Sequence, residues 1–163
     1  MTTMRVGLIS DTHGWLDPQV PRLFHGVDAI LHAGDVGSRA VVDALGDIAR
    51  LFIVRGNVDR SPELQLLPER LDLTLAGTTV HLVHRPVDAL PGDAQVVMCG
   101  HTHRALVEER QGQFWINPGA AGRRGFHSER TAAIMVLGDG PPRVSMLDLG
   151  PRSARRAEHS VPS

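Results

Sequence analysis

Two carboxylates, one carboxamide and four imidazoles stand where apolar runs of this chain end. They are Asp11 and His13 in Asp11-Thr12-His13-Gly14, Asp35 in Ala33-Gly34-Asp35, Asn57 in Arg55-Gly56-Asn57, His84, and His101 and His103 in Gly100-His101-Thr102-His103. Singly, such residues are caps or turn formers. Gathered at one edge they repel or shift their protonation, because a buried, unpaired carboxylate is costly. Divalent cations resolve that conflict. Carboxylate, amide oxygen and imidazole without thiolate suit ions such as Mn, Fe, Zn or Co. One ion has no use for seven donors. Two ions about 3.5 to 4 Å apart, bridged by a carboxylate and a water or hydroxide, use them all and suit in-line displacement at phosphorus.

The elements that must carry these residues alternate between strand and helix at the start. Apolar runs at 4–10, 28–32 and 51–54 are separated by helix-like spacing at 17–26 and 38–45, with Asp17 and Ser38 as N-caps. That repeat predicts a parallel sheet, in which ligands gather beyond the carboxyl ends of the strands. Further on, hairpins are expected at 71–75 with 78–83, at 104–109 with 113–116 and at 131–137 with 143–149, and a buried strand at 94–99. A single domain over 1–149 is expected, with residues 150–163 a disordered tail lacking apolar periodicity.

Composition removes other chemistries. All 17 basic residues are Arg, so Schiff-base catalysis and a phosphate-loop Lys are excluded. The single Cys, Cys99, has no second thiol within the chain to pair with and is read as core packing. A net charge of −1 gives no electrostatic track for extended nucleic acid, and the apolar runs are too short for a membrane span. The opening residues have no secretory pattern, so a cytoplasmic location is expected.

In their order, Asp11-x-His13, Gly34-Asp35, Gly56-Asn57, His84 and Gly100-His101-Thr102-His103 resemble the five-block signature of the calcineurin-like metallophosphoesterase superfamily. Asn57-Val58-Asp59 and Asn117-Pro118-Gly119 make the chain similar to its small YfcE-like phosphodiesterase branch. The resemblance implies an α/β fold, a four-layer α/β/β/α sandwich with two packed mixed sheets. It implies two divalent metal ions, foremost Mn, with Zn, Fe, Ni or Co as alternatives. One ion is assigned Asp11, His13 and His103, the other Asn57, His84 and His101, with Asp35 bridging. Asp35, Asn57 and His84 carry the catalytic role as well, and a metal-bound hydroxide attacks a small phosphoester. Asp59 is the expected orienter of the imidazoles.

The chain departs from the family pattern at three places. Val58 stands where many relatives carry a His thought to protonate the leaving group. Arg85-Pro86 follows His84 where Gly is usual, and only a turn fits near 88–90, which predicts an open substrate side. Arg123 and Arg124 follow Asn117-Pro118-Gly119 in a glycine-rich loop. Arg85, Arg123 and Arg124 are the expected substrate-binding residues. Trp15 and Trp115 are read as packing residues or as platforms for an aromatic group, His32 and His81 as satisfied interior residues, His127 as a solvated loop residue. A catalytically weak scaffold or protein-binding module on the same fold is the alternative function. The sequence leaves homo-oligomerisation open.

Overall fold

The structure is a computed structural model that describes residues 2–152. Strands β1 (Met4–Ile9), β2 (Ala29–His32) and β3 (Arg50–Ile53) pair in parallel, and the long antiparallel strands β9 (Glu129–Leu137) and β10 (Arg143–Pro151) complete a five-stranded sheet in the order β10-β9-β1-β2-β3. The second sheet has the order β4-β5-β6-β8-β7, from β4 (Arg70–Leu75), β5 (Thr78–Val83), β6 (Val96–Met98), β7 (Ala105–Arg110) and β8 (Gln113–Pro118). Its central strands β5, β6 and β8 are parallel and its two edges antiparallel. The expected α/β sandwich of two mixed sheets is therefore the observed fold.

Strand alternation explains the packing. Val6 and Leu8 of β1 point between the sheets, against Leu82, Met98 and Ile116 of the second sheet, whereas Ile9 points to the other face. Both faces of β1 and β2 are covered, which is why these strands read as nearly continuous apolar runs. The outer face of the first sheet is covered by α1 (Val20–Leu23) and α2 (Arg39–Gly46) through Val20, Phe24, Val41 and Leu45. On the second sheet the outer cover is thinner. The segment holding a 3-10 turn at Pro86–Asp88 lies over β5, where Leu90 N–H donates to His81 at 3.1 Å.

Two local expectations change. The helix read over 17–26 contracts to α1: before it Asp17 accepts the Gln19 N–H at 2.8 Å in a turn, and beyond it Gly26 turns the chain at a φ of +80°. Pro21 sits in the first turn, where its missing N–H has no partner to lose. Ser38 does precede α2 in extended conformation, but its hydroxyl makes no capping bond. Gly150 and Pro151 still pair within β10, opposite Arg130 and Glu129. The rest of the expected tail, residues 153–163, lies outside the described residues. Among the described residues no helix is long and apolar enough to cross a membrane.

Candidate metal centre

β1, β2, β3, β5 and β6 all deliver their carboxyl ends to one rim of the sandwich, and each is followed within four residues by a candidate donor residue. Past β1 and β2 the two loops stay hydrogen-bonded side by side: Asp11 N–H donates to Gly34 O and His13 N–H to Asp35 O, both at 3.0 Å. His32 cross-links them. Its Nδ1 accepts the Gly34 N–H at 3.0 Å, so Nε2 carries the hydrogen and faces Thr12 Oγ1 at 3.0 Å, while the Thr12 hydroxyl donates to Val36 O. Burial pushes the His32 ring down to about 4, partly offset by the Asp11 and Asp59 carboxylates, which keeps it neutral.

The backbone at this rim is strained in one consistent way. Asp11, His13, Asp35, His101 and His103 all have φ between 48° and 71°, and among the described non-glycine residues only Ala76 and Gln111, in hairpin turns, share that region. Each such residue costs about 1–2 kcal/mol, less for Asp. Five together approach the whole net stability of a small domain, about 5–15 kcal/mol. Strain on that scale at the donor positions points to a site selected for geometry rather than for stability.

The donors form two clusters. Asp11, His13 and His103 place ligand-type atoms within 4.8 Å of one another, and so do Asp35, His84 and His101. In the first cluster, His103 Nε2 lies 3.3 Å and His13 Nε2 3.8 Å from Asp11 Oδ1. Asp11 Oδ2 is occupied by the Ser10 hydroxyl at 2.6 Å and the His101 N–H at 3.1 Å, whereas buried Asp11 Oδ1 and His13 Nε2 have no hydrogen-bond partner. In the second cluster, His84 donates Nδ1–H to Ala33 O at 2.8 Å, which turns Nε2 towards Asn57 Oδ1 at 2.9 Å and Asp35 Oδ2 at 3.2 Å. Asp35 Oδ2 also lies 3.8 Å from His13 Nε2, so this carboxylate faces both clusters.

Electrostatics follow from that convergence. Burial alone would raise the Asp11 carboxyl, but the adjoining His103 imidazole, the charge of His84 and the Ser10 hydroxyl outweigh it and hold it at about 2. Asp35 is likewise lowered against its burial by His84 and the Val58 N–H. His84 is raised despite burial because the Asp35 and Asp11 carboxylates favour a positive charge there. Lone pairs that face one another and two carboxylates kept ionised in a buried pocket call for positive charge between them. Oxygen and imidazole donors without sulfur fit divalent cations of borderline or hard character.

Close approach depends on glycine. A Cβ on Gly100 would stand 2.0 Å from Ser10 Oγ and 2.7 Å from Asp11 Oδ2, so the turn carrying His101 and His103 can reach the first sheet only without a side chain there. Asn117 then holds that turn, donating Nδ2–H to Gly100 O and Thr102 Oγ1 at 3.0 Å each.

Other expected residues fall in different places. Asp59 orients no imidazole: its two oxygens accept backbone N–H groups of Val36, Gly37 and Gly56, at 2.8–3.2 Å, and so tie the Asp35 loop to the Asn57 loop. The carbonyl of Ala33 orients His84 instead. Arg85 pairs with Asp88 at 2.7 Å and lines, with Asn57 and His84, a groove of about 450 Å³ that also carries Arg55, Arg60 and Arg70. Arg123 lies over the Trp15 ring, 4.5 Å from its centroid, and Arg124 is exposed. His81 is a satisfied interior residue held by Asp72, and Cys99 is buried, its thiol pushed up to about 11 by burial. His127, read as a solvated loop residue, is buried against His103 with their Nδ1 atoms 3.1 Å apart. Nothing in its local sequence beyond the neighbouring Gly125 signalled this.

Comparison with known proteins gives the family. Residues 4–140 match the sequence model of the calcineurin-like phosphoesterase superfamily domain. A probable metallophosphoesterase of Methanocaldococcus jannaschii is 30% identical over 135 residues, covering 72% of this chain and 68% of that protein. Among solved structures, Vacuolar Protein Sorting 29 from Cryptosporidium parvum superposes with a TM-score of 0.73 at 24% identity, over 92% of this chain and 100% of that one. An archaeal phosphodiesterase gives 0.72 at 22% identity over 88% and 100%. The YfcE phosphoesterase of E. coli gives 0.66 at 23% over 90% and 100%. At these identities the structural likeness is one of fold.

Proposed function

The chain belongs to the calcineurin-like phosphoesterase superfamily, a metal-dependent phosphoesterase by family, and from that premise we propose that it is a binuclear phosphodiesterase acting on small phosphoesters. The observation that carries this reading is the pair of clusters with Asp35 between them: Asp11, His13 and His103 on one side, Asn57, His84 and His101 on the other. Asp11, His13 and His103 would hold one cation and Asn57, His84 and His101 the second, with Asp35 shared. Mn is the foremost candidate, and Zn, Fe, Ni and Co suit the same donors. When bound, the cations supply Lewis acidity, activating water as a nucleophile at neutral pH and drawing charge from phosphoryl oxygens.

The chain's own residues shape what can react. Val58 follows Asn57 and is 43% exposed at the rim; its N–H is spent on Asp35 Oδ1 at 3.0 Å and its side chain has no proton to give. A leaving group therefore departs as an anion or takes its proton from water, which favours esters of acidic alcohols and phenols. Arg85, beside Asn57 and His84 in the open groove, is placed to pair with a substrate oxygen if it exchanges Asp88 for it. Arg123 and Arg124 extend the positive rim beyond Trp15.

A scaffolding role is the second reading, favoured by the fold shared with Vacuolar Protein Sorting 29 and by exposed Leu66, Val87 and Leu90. The full donor set and its backbone strain support hydrolysis over it. The deciding experiment is an activity screen of metal-stripped protein, resupplied with single divalent ions, across mono-, di- and cyclic phosphoesters. Metal-dependent hydrolysis of diesters is expected; inactivity with every ion bound would favour the scaffold.

A further inference from the structure

The loop between β8 and β9 does more than connect two sheets. Gly122 donates its N–H to Asp11 O at 3.0 Å, and its own carbonyl lies 3.0 Å from His127 Nε2. A carbonyl only accepts, so His127 Nε2 carries the hydrogen, and neutral His127 has its lone pair on Nδ1. That lone pair faces His103 Nδ1 at 3.1 Å. A neutral His103 therefore carries its hydrogen on Nδ1, which leaves Nε2 bare, 3.3 Å from Asp11 Oδ1. The hydrogen bonds run from the Asp11 carbonyl to His103 Nδ1, and a cation between His103 Nε2 and Asp11 Oδ1 would close the circuit.

Packing holds the circuit in place. A Cβ on Gly125, whose φ is +121°, would stand 2.4 Å from His103 Cε1 and 3.0 Å from His127 Nδ1, so only glycine lets the loop pass beside the two rings. Phe126 stacks on His103 with centroids 4.7 Å apart and planes 8° from parallel, which removes the remaining rotation of the ring.

We propose that His127 is a positioning residue for the first cluster: through the Gly122 carbonyl it fixes the tautomer and orientation of His103, so that His103 Nε2 is presented to a cation as a bare lone pair. The inference rests on the proposed binuclear reading for its metal half, but the tautomer itself is a property of the metal-free chain. A ligand imidazole whose other nitrogen is held in this way binds its metal about 10–100-fold more tightly than one without the support.

The test compares wild type, His127→Leu and His127→Asn. Asn keeps an accepting oxygen near the position of His127 Nδ1; Leu keeps bulk alone. Nitrogen-15 NMR of the metal-free proteins reads the His103 tautomer, and anomalous diffraction from crystals equilibrated at graded Mn concentrations reads the occupancy of the two clusters separately. Wild type and His127→Asn should show hydrogen on His103 Nδ1. His127→Leu should show a mixture and bind Mn about 10–100-fold more weakly at the first cluster with the second unchanged. Normal Mn uptake by a wild type whose His103 carries hydrogen on Nε2, or wild-type affinity at both clusters in His127→Leu, overturns this inference alone. A wild type that takes up none of Mn, Zn, Fe, Ni and Co overturns the proposed function and the metal half with it.

Discussion

The Asp11 carboxylate and the His101 backbone meet across the two sheets: Asp11 Oδ2 accepts the His101 N–H at 3.1 Å. The residue beyond β1 is thereby tied to the turn beyond β6. One carboxylate oxygen is consumed by the fold, and the other, Oδ1, is left for the site. The same division of labour recurs at Asp35, where Oδ1 accepts the Val58 N–H and Oδ2 faces His13 and His84.

Asp35→Asn keeps the shape and removes the charge that both clusters share. Activity should fall to background, and occupancy of both ions should drop by at least about 10- to 100-fold, the range already seen for supporting residues around a metal. Metal analysis after dialysis checks this; two tightly retained ions would contradict the shared position.

Val58→His places an imidazole at an exposed rim position beside Asn57 without touching the backbone N–H bond to Asp35. Turnover of esters with poor leaving groups should rise, with about 100-fold as the lower end of what a well-placed acid supplies. Aryl esters should gain less. Equal gains on both classes in steady-state kinetics would remove the missing-proton explanation.

Arg123→Ala should raise KM for anionic substrates while leaving metal content unchanged, since the guanidinium lies over Trp15 rather than on a donor. Unchanged kinetics would reduce Arg123 to a packing partner of Trp15.

His32 sets a pH dependence that can be isolated. Its folded pKa of about 4 lies below the ordinary value of 6.5, so the unfolded chain takes the proton first as pH falls. The stability held by the neutral ring is full above about pH 6.5 and is lost progressively towards pH 4, by roughly 3 kcal/mol at most. His84, raised by its carboxylate neighbours, acts in the opposite sense, and Asp11 and Asp35 act only at lower pH. The comparison of metal-free wild type with His32→Leu therefore isolates the effect. The gap between their urea unfolding free energies should narrow from pH 7.5 to 4.5; a constant gap would show that His32 is not held neutral.

Much of this was legible in the sequence because it resides in strands buried on both faces and in the polar residues that end them. Ten strands lie where the apolar runs fall, and the seven candidate donors follow the carboxyl ends of five of them. What was not legible depends on contacts between distant loops. His127 meets His103 only because β8 and β9 lie in different sheets, so that the loop joining them crosses the rim. Asp59, expected to orient an imidazole, is claimed instead by three converging backbone N–H groups. α1 is shorter than its apolar spacing because Asp17 closes a turn on Gln19 before it and Gly26 ends it.

The central claim, two cations held with Asp35 between them, is tested most directly by anomalous diffraction from crystals soaked with Mn. The account predicts two peaks per chain: one enclosed by Asp11, His13 and His103, the other by Asn57, His84 and His101, with the Asp35 carboxylate reaching both. A single peak, or two peaks of which either lies away from these side chains, would contradict it.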